Sequence, residues 1–341
     1  MGSNQNKYSI ILPVHNGGNY IKECVSSILN QTLQDFNLII LENNSNDGTL
    51  EWLQSLKDER IIVHDSPNRT LTIEENWGRA LKITKNEFIT LIGHDDILMP
   101  DYLETMENLI AKHPNASLYQ THFTYINSEG QIIKQCQPMD EIQSPIDFTC
   151  HFLCNKIDTM GTGFMMRAAD YDSIGGIPLN YPNLLFADFD LWIRLTQISY
   201  KATAFNCSFS FRIHQSTTTK SADDKFQRAF EIFLDFLFQL KQESKIYSEA
   251  IERYGKGFID FYAKGLSHRL LRTPKRLRKN NSTVSNFLDM CKKNAILLIP
   301  DEEYNPSKRF SVKLAIFIDK YLITRSLFLL FKSIYKKPLY D

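Results

Sequence analysis

No stretch of the 341-residue sequence reaches the roughly 18 uninterrupted apolar residues that a membrane-spanning helix needs. Residues 1–7 are polar and hold no apolar h-region, so the chain is not expected to be secreted. Charge of one sign is also missing. Lys and Arg number 39 and Asp and Glu 39, so no global basic field argues for nucleic acid. Cysteine is sparse, with six residues at 24, 136, 150, 154, 207 and 291. Only Cys150 and Cys154 are close, with His151 between them, and no further well-spaced ligands stand nearby for zinc. Buried free thiols are the expectation, and without an export signal they place the chain in the cytoplasm. Internal repeats and low-complexity tracts are absent as well.

What is present is ordinary in bulk and patterned in detail. Apolar residues make up 43% and charged residues 23%, a globular balance, and the length allows two domains. Short apolar runs at 8–14, 36–41, 60–64, 87–92 and 117–126 read as strands. Between them, 20–29, 49–56, 73–83 and 100–112 read as helices, the last opened by Pro100 at its first position. Strands alternating with helices predict βαβ units and a mostly parallel sheet. Residues 131–160 show no regular pattern. A strand at 161–167, a helix at 187–197 and a strand at 201–212 follow, and from 226 onward the pattern is helical. The expected division is an α/β domain over 1–220 and a helical region over 221–341.

One segment carries most of the chemistry. Between residues 87 and 100 an apolar, β-prone run ends in Gly93-His94, and Asp95 and Asp96 follow. Two acids just past the carboxyl end of a strand stand where ligands bind in open α/β sheets. Adjacent hard oxygen donors there suit Mg²⁺ or Mn²⁺ holding a diphosphate. The first strand ends in Pro13-Val14-His15-Asn16-Gly17-Gly18, where a glycine pair lets backbone approach a ligand. The second ends in Glu42-Asn43-Asn44-Ser45-Asn46-Asp47-Gly48-Thr49, short polar groups that hydrogen-bond a base or cap the next helix.

In order, these segments resemble the family 2 glycosyltransferases of the GT-A nucleotide-diphospho-sugar-binding fold. Pro13-Val14-His15-Asn16-Gly17 is similar to their Pro-Val-Tyr-Asn opening. Ser26-Ser27-Ile28-Leu29-Asn30-Gln31-Thr32 is similar to Ser-Ile-Leu-x-Gln-Thr, and Asn44-Ser45-Asn46-Asp47-Gly48-Thr49 to Gly-Ser-x-Asp-Gly-Thr. Gly93-His94-Asp95-Asp96 matches the Asp-x-Asp-type metal motif. Ala187-Asp188-Phe189-Asp190-Leu191-Trp192-Ile193-Arg194-Leu195 resembles Glu-Asp-x-Asp-Leu-Trp-x-Arg-Leu, and Phe211-Arg212-Ile213-His214 resembles Tyr-Arg-x-His. Each motif is weak alone; six in order across residues 7–216 are specific.

The resemblance implies a GT-A fold with a helical C-terminal extension and a hexosyl- or N-acetylhexosaminyl-transferase that uses Mn²⁺ or Mg²⁺. Asp95 would contact the ribose or the metal, Asp96 would ligate the metal, and His214 would approach it from the far side. Pro13, Val14, Asn16, Glu42, Asn43, Asn76 and Asp95 would hold the nucleotide. Asp188 would be the general base for the acceptor hydroxyl. One displacement at the anomeric carbon, without an enzyme nucleophile, inverts configuration. The donor would be a nucleotide-diphospho-sugar, UDP-linked, and the acceptor a growing bacterial surface glycan or a lipid-linked glycan. Three departures stand out. Asn43 replaces an Asp that accepts from uracil, Gly93 replaces the first acid of the metal motif, and Ala187 replaces the Glu before the base.

Two rival functions are open to sequence. A nucleotidyltransferase of the same fold would want a basic Gly-rich loop after strand one, but Gly17-Gly18-Asn19-Tyr20 has no Lys or Arg. A non-catalytic glycan- or nucleotide-binding protein would have no use for Asp95, Asp96 and Asp188 together. In the last third, residues 264–279 and 308–337 mix Lys and Arg with large apolar side chains. Such segments suit an interfacial helix on anionic lipid, at the inner face of the cell membrane. They equally suit packing on the catalytic domain or on a second subunit.

Overall fold

A computed structural model describes residues 6–66, 68–158, 160–213, 224–278 and 282–335. The chain divides into two compact units. One comprises residues 1–148 and 157–214, the other residues 149–156 and 215–341.

The first unit is built on β1 (Tyr8–Val14), whose seven residues are all buried. It pairs in parallel with β2 (Phe36–Glu42) on one side and β4 (Phe88–Leu91) on the other, and β3 (Ile61–His64) extends β2. The ten-stranded sheet continues through β9 (Phe164–Arg167), β6 (Leu118–Ile126) and β10 (Lys201–Arg212) to β5 (Ile97–Leu98). β9 lies antiparallel between β4 and β6, whereas β6 and β10 run parallel. The central sheet is therefore mixed. Because β2 and β4 flank β1, the strand order reverses there, and in open α/β sheets ligands bind beyond the carboxyl ends of the strands at such a switch point. Helices α1 (Tyr20–Leu29), α2 (Thr49–Ser55), α3 (Ile73–Gly78), α4 (Tyr102–Lys112), α6 (Ala168–Ser173) and α7 (Ala187–Ile198) complete this unit.

Three expectations are corrected. Residues 131–160 are not irregular. They hold β7 (Ile132–Gln135) paired to β6, β8 (Ile142–Gln143) paired to β10, and α5 (Pro145–Leu153). Strands of four and two residues exist through their pairing partners, which periodicity does not reveal. The α5 start did have a signal: the Ser144 hydroxyl accepts from the Asp147 amide (3.2 Å), with Pro145 opening the helix. Next, α4 begins at Tyr102 with Asp101 at the cap, so Pro100 precedes the helix, where its carbonyl accepts from the Thr32 amide (2.8 Å). Finally, all six cysteines are free, but only Cys24 and Cys291 are buried; the other four are half-buried.

The second unit holds α8 (Lys225–Glu243), α9 (Lys245–Arg272), α10 (Val284–Leu298), α11 (Phe310–Lys320) and α12 (Leu322–Ile334). The Ser244 and Thr283 side chains cap α9 and α10. Its core is aromatic. Phe258 packs on Phe230, Phe233 and Phe152, with centroids 6.0, 5.8 and 5.5 Å away. Part of the basic run at 264–279 is structural rather than a surface for partners. Arg278 is buried 2.9 Å from Asp319, and Arg269 lies over the Phe226 ring at 3.7 Å. Among the described residues no helix is long and apolar enough to cross a membrane.

Candidate active site

The loops after β1 and β2 are sewn to each other. The Asn16 amide donates to Ser45 Oγ (2.9 Å), and Asn16 Oδ1 accepts from the Asn46 amide (2.9 Å). The Gly17 and Gly18 amides donate to Thr49 Oγ1 (3.1 Å) and Asp47 Oδ2 (2.9 Å). Burial is the largest single influence on the Asp47 carboxyl and would raise it, but hydrogen bonds from the Thr49 hydroxyl and from the Gly18 and Thr49 amides together hold it below the usual carboxylate range. Gly17 is dictated by packing, since a β-carbon there would stand 2.6 Å from Ile21 Cβ. Beneath this seam the Glu42 carboxylate accepts from the Asn44 (2.9 Å) and Ser45 (2.7 Å) amides.

A second tier braces the ends of β2 and β3. Asn43 Oδ1 accepts from the Leu71 amide (2.7 Å) while its Nδ2 donates to the Leu71 carbonyl (3.0 Å). Asn76 donates to the Leu41 carbonyl (3.2 Å) and accepts from Arg79 (3.0 Å). Arg79 also donates to the carbonyls of Glu42 (2.7 Å), His64 (2.7 Å) and Asp65 (2.8 Å). Val14, Glu42, Asn43 and Asn76 are all buried. Glu42, Asn43 and Asn76 shape the loops chiefly through bonds to backbone, with side-chain bonds from Arg79 to Asn76 and from the Ser66 hydroxyl to Asn43 besides.

The acidic loop after β4 sits at the switch point. Gly93 is what lets its carboxylates converge. A β-carbon at 93 would stand 2.8 Å from Asp95 Oδ1 and 3.2 Å from Asp96 Oδ2. Asp96 is 2% exposed. The Thr162 hydroxyl donates to its Oδ2 (2.5 Å) and the Arg212 amide to its Oδ1 (3.0 Å). Burial, then the Asp95 charge, push the Asp96 carboxyl well above the ordinary range, and those two bonds and the Arg212 charge oppose the rise. Arg212 is itself buried and locks the loop. It donates to the carbonyls of Asp95 (2.8 Å), Asn127 (3.1 Å) and Ser128 (3.2 Å) and to Glu23 Oε2 (2.6 Å), with its guanidinium 4.6 Å from the Tyr20 ring.

Asp188 opens α7, preceded by strained backbone. Asn183, Leu184 and Phe186 have φ of 54°, 54° and 70°. For a bulky Leu or Phe this left-handed conformation costs on the order of 1 kcal/mol or more. The helix is anchored by Trp192, which stacks on Phe164 (centroids 4.3 Å apart) and donates to the Met160 carbonyl (2.9 Å). Asp190 accepts from the Tyr181 hydroxyl (2.9 Å) and pairs with Arg194. Burial pushes the Asp188 carboxyl up to about 7, although the amides of Phe189 and Asp188 draw it down.

The strap that leads into β9 brings the acids together. A β-carbon on Gly161 would stand 3.5 Å from Asp188 Oδ2, and the next residue, Thr162, bonds Asp96. Asp95, Asp96 and Asp188 therefore share one region. His214 lies outside the described residues. Sequence reasoning missed Gly161, Thr162, Arg79 and the anchoring role of Arg212. Arg212 was visible within its motif; the others had no signal, since their partners are set by strand pairing. Among the described residues no group of three or more His, Cys, Asp or Glu is placed to hold a metal. Two converging carboxylates still fit Mg²⁺ or Mn²⁺, which such sites hold with one or two carboxylates plus substrate phosphates.

With this geometry in place, comparisons with known proteins are decisive for the class. Residues 9–175 match the family described as "Glycosyl transferase family 2". The Escherichia coli UDP-Glc:alpha-D-GlcNAc-diphosphoundecaprenol beta-1,3-glucosyltransferase WfgD is 24% identical, over 67% of this chain and 86% of its own length. Other relatives are longer: the chain spans 40% of an uncharacterised glycosyltransferase from Rickettsia felis. The fold matches Staphylococcus aureus TarS 1–349 in complex with UDP-GlcNAc, at a TM-score of 0.59 and 14% identity over 92% and 91% of the two chains. It also matches Pyrobaculum calidifontis mannosyltransferase PcManGT in complex with GDP-Man and Mn²⁺, at 0.50 and 12% over 96% and 87%. The protein has the α/β architecture of the GT-A glycosyltransferases, with a helical C-terminal region. It belongs to the family 2 glycosyltransferases and is an enzyme of that class.

Proposed function

We propose that the protein is an inverting, metal-dependent glycosyltransferase. It would move a sugar from a UDP-linked donor to a hydroxyl of a growing bacterial surface glycan or a lipid-linked acceptor, in the cytoplasm at the membrane's inner face. The observation that carries this reading is the strap at 161–162, which passes beside the proposed base Asp188 with one residue and bonds the acidic loop with the next. WfgD, by its name, uses UDP-Glc and a diphosphoundecaprenol-linked acceptor, and PcManGT is complexed with Mn²⁺; both support it.

Each residue then has a task. The seam between the β1 and β2 loops receives the nucleotide, and Asn16 and Pro13 border it. Asp95 and Asp96 hold a divalent cation, with Asp96 fixed in orientation by Thr162 and the Arg212 amide. When bound, the cation supplies Lewis-acid neutralisation of the departing diphosphate. Asp188, poised at about 7, takes the proton of the acceptor hydroxyl as its oxygen attacks the anomeric carbon. Calorimetry of UDP and UDP-sugars with Mn²⁺ or with EDTA tests the reading. Asp95→Ala and Asp96→Ala should abolish the Mn²⁺-dependent part of binding while the fold persists. Equal wild-type affinity with Mn²⁺ and EDTA would refute it.

A further inference from the structure

The helical unit carries an apolar face that its own core does not use. In α11, Val312, Ala315 and Asp319 are buried. Phe310 (80% exposed), Leu314, Phe317 and Tyr321 line the opposite, open stripe. In α12 the polarity is reversed from the usual rule that a helix buries its apolar face. Its buried residue is Arg325, which donates to the carbonyls of Leu271 and Thr273. Ile323 (77% exposed), Leu327, Leu330, Phe331 and Ile334 (77%) are open at helical spacing. A continuous face of this kind marks an interaction site on a soluble protein.

Charge decides what covers it. Lys313 and Lys320 are exposed, and Lys332 lies over the Phe331 and Tyr335 rings at 5.7 and 5.8 Å. The single acid between 310 and 335 is Asp319, buried against Arg278. All open charge on the helix pair is therefore positive. We propose that α11 and α12 dock on an anionic lipid surface, with their apolar side chains in the headgroup boundary and their lysines at lipid phosphates. A second copy of the chain on this face would set like charges against each other.

Sedimentation of the full chain with vesicles tests this. Vesicles containing phosphatidylglycerol should carry the protein down at low salt, and release it as salt rises; phosphatidylcholine vesicles should not. Leu327→Asp with Leu330→Asp should abolish pelleting. Lys313→Glu with Lys320→Glu should weaken it by more than tenfold, at about fivefold for each cation lost. Both positions are exposed, so circular dichroism and melting should match wild type. Absence of pelleting, or equal pelleting with neutral vesicles, would overturn the proposal. So would a lipid-free dimer that the Leu327/Leu330 variant turns into a monomer. The assay has no catalytic readout, so its failure leaves the reading of the acidic site untouched, and the converse holds.

Discussion

The two sides of the switch point beside β1 are built on opposite electrostatic plans. On the side of the β1 and β2 loops, polar groups are neutral or single charges, each met by backbone partners, as Glu42 is by two amides and Asn43 by Leu71. On the side of β4 and α7, carboxyls are buried beside one another or in poor solvation, so Asp96 and Asp188 are both pushed upward. The first arrangement gives a rigid surface at low energetic cost. The second stores unfavourable energy in groups whose reactivity depends on it. In the proposed mechanism the first side supplies shape and the second supplies basicity.

The sharpest break in that contrast comes from Asp188→Asn, which keeps the shape and removes the proton acceptor. Turnover should fall by ~10²-fold or more, while the donor KM changes only a few-fold. In wild type the rate should rise with pH through about 7 as Asp188 loses its proton. That limb should vanish in the variant; a variant that keeps most of its turnover would assign the base elsewhere.

Arg212→Met should have the next largest effect. It removes four charge-assisted donations that tie the acidic loop to α1 and to the turn after β6. A loss of about 3 kcal/mol or more in denaturant unfolding is expected, with weaker Mn²⁺-dependent donor binding. Thr162→Val, which takes one donor from buried Asp96, should destabilise by about 1–3 kcal/mol. Asn43→Ala, on the other side, should remove about 1–2 kcal/mol by leaving the Leu71 backbone unpaired. It should shift UDP-over-GDP preference less than it shifts stability. A large switch of base preference would mean that Asn43 reads the base as well as bracing the loop.

The smallest effect has the opposite sign. A carboxyl raised in the folded state binds more protons there than in the unfolded chain. Its contribution to stability is thus complete below the unfolded value near 4 and is lost as pH climbs through about 7. Asp188→Asn should therefore melt slightly above wild type at pH 8, and the gap should close by pH 4. A gap independent of pH would show that the stored energy lies elsewhere.

Much of this molecule was legible in sequence because the relevant signals are local. β1 was a continuous apolar run at 8–14 and is buried along its whole length. The order of the motifs located the ends of β1, β2 and β4 and the start of α7. What stayed hidden depends on distant partners. Glu42, Asn43 and Asn76 stand out in the sequence as candidate nucleotide contacts, but nothing local shows that they also bond Ser45, Leu71 and Leu41. Thr162 is an ordinary residue until antiparallel β9 places it against Asp96. Asp319 is a charge in a basic stretch until it meets Arg278, 41 positions away.

Neighbouring positions 161 and 162 serve different acids, which has a genetic consequence. Gly161→Ala puts a methyl in van der Waals contact with Asp188 and Thr162→Val unbinds the Asp96 side, yet both act through one short piece of backbone held by Trp192 and the Leu91 carbonyl. Their effects should not add. A change in the backbone path at 161 is therefore passed to residue 162, and so from one acid to the other. With Asp188 proposed to serve the acceptor and Asp96 the donor, the strap would make the two ends of the reaction heritable as one unit.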